Sequence, residues 1–90
     1  MTGGDLDEVL RALAHRERRV FLTACLDQRR AAGELAERSR LSLATVSEHL
    51  KVLRKSGLVL LEIEGRFWYY RTDRARLGAA IEALTSLDRG

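Results

Sequence analysis

The chain has 90 residues, 46% hydrophobic and 32% charged, a composition typical of one globular domain. Its net charge is +3, but the segment from Arg38 to Arg74 holds eight basic and four acidic residues, and this local excess predicts a surface for an anionic partner such as nucleic acid. A single cysteine excludes an intrachain disulfide, and no apolar run approaches the roughly 18 residues that cross a bilayer. Because the chain opens without a leader-like segment, we expect a cytoplasmic protein that makes no use of a membrane.

The first third of the chain predicts three short helices. Asp5 and Glu8 resemble a capping box, which predicts a first helix over about 5–14. A second helix is predicted over about 16–26, because Val20, Phe21, Ala24 and Cys25 form one apolar stripe. A third is predicted over about 32–39, with Leu35 and Ala36 turned inward.

A fourth helix, a hairpin and a last helix follow. The fourth helix is predicted over about 43–56, and Gly57 ends it because glycine accepts a left-handed backbone. Two runs rich in strand-forming residues flank Gly65 and predict a hairpin over about 58–71, whose alternation separates Phe67 and Tyr69 from Trp68 and Tyr70. Thr72 or Asp73 caps a last helix over about 73–88.

The predicted order is therefore H-H-H-H-E-E-H in a single domain, 1–90, that is mainly α with a small β-hairpin wing. This is the outline of a winged helix–turn–helix, with the helix–turn–helix at about 32–56 and the turn at 40–42. Its second helix needs an apolar back, which Val46, Leu50 and Leu53 supply, and short polar residues at its front. Ser42 is the natural N-cap of that helix, whose free amides can also hold a phosphate.

The motif "LATVSEHLKVLRKSGLV", followed by "EGRFWYYR", resembles the ArsR/SmtB family of dimeric bacterial repressors. The family pattern T-V-S-x-H-L-x-x-L-x-x-x-G-L-V and a wing of the form G-R-x-x-x-Y are matched by Thr45, Val46, Ser47, His49, Leu50, Leu53, Gly57, Leu58, Val59, Gly65, Arg66 and Tyr70. The stretches "LRALAHRERRVFLTACL" and "GELAERSRLS" are similar to the preceding helices and turn, so the resemblance covers nearly the whole chain.

The resemblance implies a homodimer that binds double-stranded DNA, with one recognition helix in each major-groove half-site of an inverted repeat. The expected DNA contacts are Arg40, Ser42, Ala44, Thr45, Ser47, Glu48, His49, Lys51, Arg54, Lys55 and Arg66. Glu48 has two interpretations, because it could accept from cytosine N4 or complete a capping box with Thr45. The family often carries glutamine near Leu43 and arginine, glutamine or histidine near Glu48, so a different operator sequence is expected here.

The resemblance also implies a dimer interface on the first and last helices. The residues expected there are Leu6, Val9, Leu10, Leu13, Leu77, Ile81 and Leu84.

The usual metal sites of the family are missing from the sequence. The places of its cysteine pair fall on Ala31 and Gly33, and those of its last-helix ligands on Arg74, Arg76, Leu87 and Gly90. A non-standard nickel or zinc site using His15 with Asp5, Asp7 or Glu8 near a dimer interface stays open as an alternative, as does a redox or metal role for Cys25. So do a small-molecule effector and a protein effector.

We therefore expect a DNA-binding transcriptional repressor and not an enzyme, because the sequence has no nucleophile–base pair and no phosphate-cradling glycine loop. Two alternatives remain: a metal sensor with a non-standard site, and a winged helix used for contacts between proteins. Salt dependence separates the last from DNA binding, because phosphate contacts weaken steeply as salt rises.

Overall fold

The computed structural model describes all 90 residues, Met1–Gly90, as five helices around one small sheet. The elements in chain order are α1 (Gly3–Leu13), α2 (Arg16–Ala24), β1 (Arg30–Ala31), α3 (Ala32–Ser39), α4 (Leu43–Lys55), β2 (Val59–Glu64), β3 (Phe67–Thr72) and α5 (Arg74–Arg89). The predicted mainly α winged fold and its element order are confirmed, with β1 as an addition. None of the five helices combines the length and apolar character that crossing a membrane requires.

The first helix begins two residues before the predicted position, because its cap is Thr2. The Thr2 hydroxyl accepts from the Asp5 backbone N–H at 3.1 Å, and the Asp5 carboxylate accepts from the Thr2 N–H at 3.1 Å. This reciprocal pair is a capping box, so the predicted box of Asp5 with Glu8 is wrong: Asp5 is its third helical residue and not its cap.

The strand β1 is the element that the sequence does not predict. Its two residues pair antiparallel with β3, Arg30 opposite Tyr70 and Ala31 opposite Tyr69, which gives the strand order β1-β3-β2. This pairing ties the start of α3 to the wing, so the helix–turn–helix and the hairpin share one sheet.

The hydrophobic core draws on every helix and on both long strands. Phe21, Leu35, Leu50 and Leu58 are buried at its centre. Val9 is also fully buried in this core, so its predicted place in a dimer interface is wrong. Its neighbours Leu13 and Leu77 are only partly buried and pack against the edge of the core.

The junction between α4, β2 and α5 depends on Gly57 and Arg76. Gly57 has a φ of 82°, which favours glycine, and a Cβ there would lie 2.8 Å from Arg76 Nε. Arg76 Nε donates to the Ser56 carbonyl at 3.1 Å, and Arg76 Nη2 lies 3.5 Å from Asp5 Oδ1. One arginine on α5 therefore joins the end of α4 to the start of α1.

The wing is a tight hairpin with a two-residue loop, Gly65 and Arg66. Gly65 has a φ of 61°, as the first position of a type II′ turn requires. Side chains of β3 alternate between the two faces of the sheet, as predicted, at the end of the strand near the core. Tyr70 is buried on one face, and Tyr69 lies under the Arg29 guanidinium on the other. Toward the tip both faces are exposed, with 64% of Phe67 and 54% of Trp68 open to solvent.

Candidate DNA interface

The helix α4 is anchored by one face and presents the opposite face to solvent. Val46, Leu50 and Leu53 are fully buried in the core, as the spacing of four and three residues predicts. The exposed face carries Ala44, Glu48, Lys51 and Lys55 at intervals of four, three and four residues. These four residues, which we call the α4 front, form a continuous stripe with a small residue at its N-terminal end and two lysines toward its C-terminal end.

The start of α4 is capped as predicted by Ser42. The Ser42 Oγ accepts from the Thr45 backbone N–H at 3.1 Å and donates to Thr45 Oγ1 at 2.9 Å. Glu48 takes no part in the cap and has no hydrogen-bond or ion-pair partner. Of the two interpretations of Glu48, the capping box with Thr45 is therefore wrong, and the carboxylate is free at the centre of the α4 front.

His49 lies on the side of α4 that faces α2, and not on the α4 front. Its Nδ1 accepts from Arg18 Nε at 3.2 Å, and its ring lies 5.9 Å from that of His15 and 6.1 Å from that of Phe21. Burial, and then the adjacent Arg18 guanidinium, lower the pKa of His49. The geometry favours a neutral histidine that joins α4 to α2 over a base-reading one.

Arg18 continues this connection to α1. Its Nη1 donates to the carbonyls of Arg11 at 3.1 Å and Ala12 at 3.4 Å in the last turn of α1, where the Arg11 carbonyl also accepts from the Ala14 N–H at 3.4 Å. Arg18 therefore joins the C-terminal end of α1 to α4 through His49. The sequence analysis missed this role, and only the tertiary placement of two distant segments reveals it.

The turn before α4 contains an unusual residue. Arg40 has a φ of 62° at the C-cap of α3 and is the only residue other than glycine with a positive φ. The left-handed backbone disfavours a residue with a Cβ, so an arginine here destabilises the turn where a glycine would not. Its side chain is exposed and has no partner, which leaves it free to contact a phosphate.

The positive charge of the segment from Arg38 to Arg74 is only partly neutralised within the chain. Arg71 pairs with Glu62 at 3.0 Å and Arg74 with Asp27 at 3.2 Å, while Lys55 Nζ lies 3.9 Å from Glu8. The other five basic residues of this segment are exposed and have no acidic partner: Arg38, Arg40, Lys51, Arg54 and Arg66.

The candidate metal ligands are not brought together. Among the 90 residues no group of three or more histidine, cysteine, aspartate or glutamate side chains is arranged to hold a metal ion. Asp5 is engaged by Thr2 and Arg76, and Glu8 by Arg11 at 3.6 Å. Cys25 is fully buried, and burial raises the pKa of its thiol to about 11, which disfavours the thiolate near neutral pH in the metal-free chain. Neither alternative, His15 with a nearby carboxylate or Cys25, has a set of three such ligands within one chain.

The exposed helix α4 packs on the rest of the domain and is joined to α3 by a short turn, and a basic surface and a hairpin wing accompany it. This is the arrangement of a helix–turn–helix DNA-binding domain. Residues 13–62 match the family model described as a helix-turn-helix domain. The transcriptional activator HlyU of Vibrio cholerae is 35% identical over 79 residues, which are 88% of this chain and 73% of HlyU.

Solved structures give the same result. An ArsR-like transcriptional regulator from Rhodococcus sp. RHA1 superposes with a TM-score of 0.87 at 29% identity, over 96% of this chain and 81% of that one. The homodimeric winged helix-turn-helix DNA-binding domain of a possible ArsR-family transcriptional regulator from Mycobacterium bovis superposes with a TM-score of 0.78 at 27% identity, over 94% of this chain and 80% of that one.

The chain belongs to the ArsR/SmtB family of winged helix–turn–helix transcriptional regulators. The predicted family resemblance is thereby confirmed.

Proposed function

We propose that the chain is a homodimeric transcriptional repressor that inserts α4 of each protomer into the major groove of an inverted-repeat operator. The observation that carries the proposal is the α4 front, an exposed stripe on a rigidly anchored helix whose Glu48 and Lys51 have no partner within the chain. Carboxylates accept from cytosine N4 and lysines bind guanine O6 and N7, so these two side chains are suited to base edges.

Residues around the α4 front are suited to the DNA backbone. Arg40 lies at the turn before α4, Arg54 on the last turn of α4, and Arg66 at the tip of the wing, and all three are exposed and unpaired. Contacts to phosphates on either side of the recognition helix fix the register of a protein on the duplex. Ser42 and the first amides of α4 add a site for a phosphate at a helix N-terminus.

The second copy of the chain is proposed to cover an apolar face on α1 and α5. Leu10 on α1 and Ile81, Leu84 and Leu87 on α5 are between 40% and 69% exposed, although α1 and α5 pack on the same core. An exposed apolar face on two adjacent helices is typical of an interface between subunits. The homodimeric state of the Mycobacterium bovis domain supports this assignment.

Repression is proposed as the direct effect because a dimer bound over a promoter excludes other proteins from it. The Vibrio cholerae relative is named as an activator, which makes activation the alternative outcome. A reporter gene under the chain's own upstream DNA decides between them, because deletion of the regulator raises expression from a repressed promoter and lowers it from an activated one.

Binding of the purified chain to duplex DNA from upstream of its own gene tests the proposal. We would follow fluorescence anisotropy from about 50 to about 300 mM NaCl, where several phosphate contacts per protomer predict an affinity loss of 100-fold or more. Zinc and nickel would be added in parallel, and an unchanged affinity is expected. The change Arg54→Glu together with Lys55→Glu should abolish tight binding, because both residues lie on the last turn of α4.

The matched control is Arg89→Glu, which makes the same kind of charge reversal at the far end of α5. It should leave the DNA affinity within about two-fold of the parent chain, because surface charges beyond a Debye length are screened. Failure to bind any duplex at low salt would contradict the proposal and favour a winged helix used for contacts between proteins. An affinity that shifts several-fold with one metal would favour a metal sensor whose site spans two protomers.

A further inference from the structure

An open groove runs between α2 and α3, on a part of the surface that the proposed DNA and dimer contacts do not use. Three adjoining cavities of about 570, 220 and 170 Å³ meet there at Val20. Val20 belongs to the apolar stripe of α2, yet it is 51% exposed. The largest cavity has the volume of a small-molecule site, but it is shallow and open to solvent.

The floor of this α2–α3 groove is apolar and its rim is positively charged. Val20, Ala24 and Leu35 form part of the floor. The rim carries three arginines, Arg16, Arg19 and Arg38, against one acidic residue, Glu17, so its net charge is positive. Arg16 and Arg38 have no hydrogen-bond or ion-pair partner. Arg19 uses one nitrogen to donate to the Leu13 carbonyl at 2.7 Å and keeps its remaining donors free.

We propose that the α2–α3 groove binds a small carboxylate with an aliphatic tail. The guanidinium groups of the rim would hold the carboxylate, because their paired donors match its two oxygens. The tail would cover Val20 and the apolar floor, which a phosphodiester backbone has no group to fill. The proposed ligand therefore has two chemically different parts: a charged head that binds the arginine rim and an apolar tail that covers the floor.

The position of the groove suggests what such a ligand does. Ser39 and Leu41 also line it, so a bound carboxylate would lie against the turn that leads into α4. If the ligand has a different affinity for the free protein than for the DNA-bound protein, it changes the DNA affinity by the ratio of those two affinities. This regulatory step rests on the function proposed above, whereas binding of the carboxylate does not.

Titration of the purified chain with octanoate tests the binding itself, without DNA. We expect one saturable site per chain by calorimetry, with a Kd below about 1 mM. Amide NMR shifts should be largest at Val20, Ala24 and Arg38. Octanol, which has the same tail without the charge, should bind at least ten-fold more weakly.

Two variants localise the site. Val20→Asp should weaken octanoate binding at least five-fold, because it places a negative charge on the floor, and Arg38→Glu should do the same by reversing the rim. Arg66→Glu, an equal charge reversal on the wing, should leave octanoate binding unchanged. Since Val20 and Arg38 are exposed, both variants should keep the circular dichroism spectrum of the parent chain.

Three results would overturn the proposal. These are the absence of saturable octanoate binding, equal affinity for octanol, and shifts centred on the apolar face of α5 instead of the groove. Each leaves the DNA-binding proposal untouched, because none of these measurements involves DNA.

Discussion

Arg40 combines a strained backbone with an exposed side chain that has no polar partner within the chain. Its left-handed backbone costs roughly 1 kcal/mol for a residue with a Cβ, and its exposed side chain makes no hydrogen bond or ion pair within the chain. A strained residue that the fold does not need is a candidate for function. We infer that the guanidinium serves a phosphate at the turn.

The change Arg40→Gly should therefore lower the DNA affinity without lowering the stability of the fold. We expect the free energy of unfolding to stay the same or rise by up to about 1 kcal/mol, because glycine accepts the backbone without strain. DNA affinity should fall several-fold, and the salt dependence should become less steep as a phosphate contact is lost. Urea unfolding and anisotropy measure the two effects, and a loss of stability with unchanged DNA affinity would contradict this interpretation.

His49 predicts a dependence of stability on pH. Its pKa is lowered in the folded chain, so the unfolded chain takes up a proton first as the pH falls through its ordinary value of about 6.5. The stabilising effect of neutral His49 is thus present above pH 6.5 and is lost below it. Arg18, Glu17 and His15 face the ring, and Arg18 has the nearest charge.

The His49→Gln variant tests this assignment, because glutamine can still accept from Arg18 but does not titrate. Between pH 7.5 and 5.5 the parent chain should lose stability to urea, and His49→Gln should lose clearly less. His15→Gln serves as the matched control and should keep the loss. An identical pH profile for the parent chain and His49→Gln would exclude His49 as the source.

At the scale of an element, the start of α4 combines a structural cap with a proposed phosphate site. The Ser42 hydroxyl accepts from the Thr45 N–H, and such caps contribute about 1 kcal/mol. Ser42→Ala should lower the free energy of unfolding by about that amount. Ser42→Asp should keep the stability of the parent chain, because aspartate is an equally good cap. Its DNA affinity should be well below that of Ser42→Ala, because the carboxylate places a negative charge near a DNA phosphate.

Chemical unfolding and anisotropy on the two variants give the outcome. If Ser42→Asp binds DNA as tightly as the parent chain, no phosphate lies at the start of α4.

The individual elements also show what the sequence can predict. The bounds of α3 and the turn at 40–42 were predicted to the residue, because a helical period, a cap and a known motif agree there. The strand β1 was missed, since two residues carry no periodicity. Helical spacing also places Val20 and Phe21 on one apolar stripe of α2, but it does not show which of them packs against the other helices. In the structure only Phe21 is buried.

The candidate site was predictable to a similar extent. The capping role of Ser42 and the exposure of Lys51 and Arg54 follow from one helix and its period. The inward position of His49 does not, because it depends on Arg18, which lies 31 residues earlier in the chain. Contacts between distant segments are set by tertiary packing, which a local pattern does not contain.

At the scale of the whole molecule, the apolar face on α1 and α5 is proposed to make the chain a dimer. Ile81→Asp together with Leu84→Asp should convert the chain to a monomer, because charges would be buried in the interface. Both side chains are exposed in the protomer, so its helix content should persist. Leu60→Asp on β2 alters an equally exposed leucine outside this face and should remain a dimer.

Sedimentation velocity gives the mass of each variant, and circular dichroism checks that it is folded. The monomeric variant should also lose most of its affinity for a two-site operator, because the two recognition helices no longer bind together. A parent chain that sediments as a monomer at micromolar concentration would contradict the dimer.

Selection of binding sites from a random duplex pool tests the central claim most directly. Because two copies of α4 are related by a two-fold axis, the selected sequences should contain an inverted repeat. Its half-sites should be centred one helical turn apart, about 10–10.5 base pairs, or a multiple of that distance. Within each half-site Glu48→Gln should change the preferred base at one position. Recovery of a single half-site, of a direct repeat or of no enriched sequence would contradict the account of a symmetric dimer that reads DNA with α4.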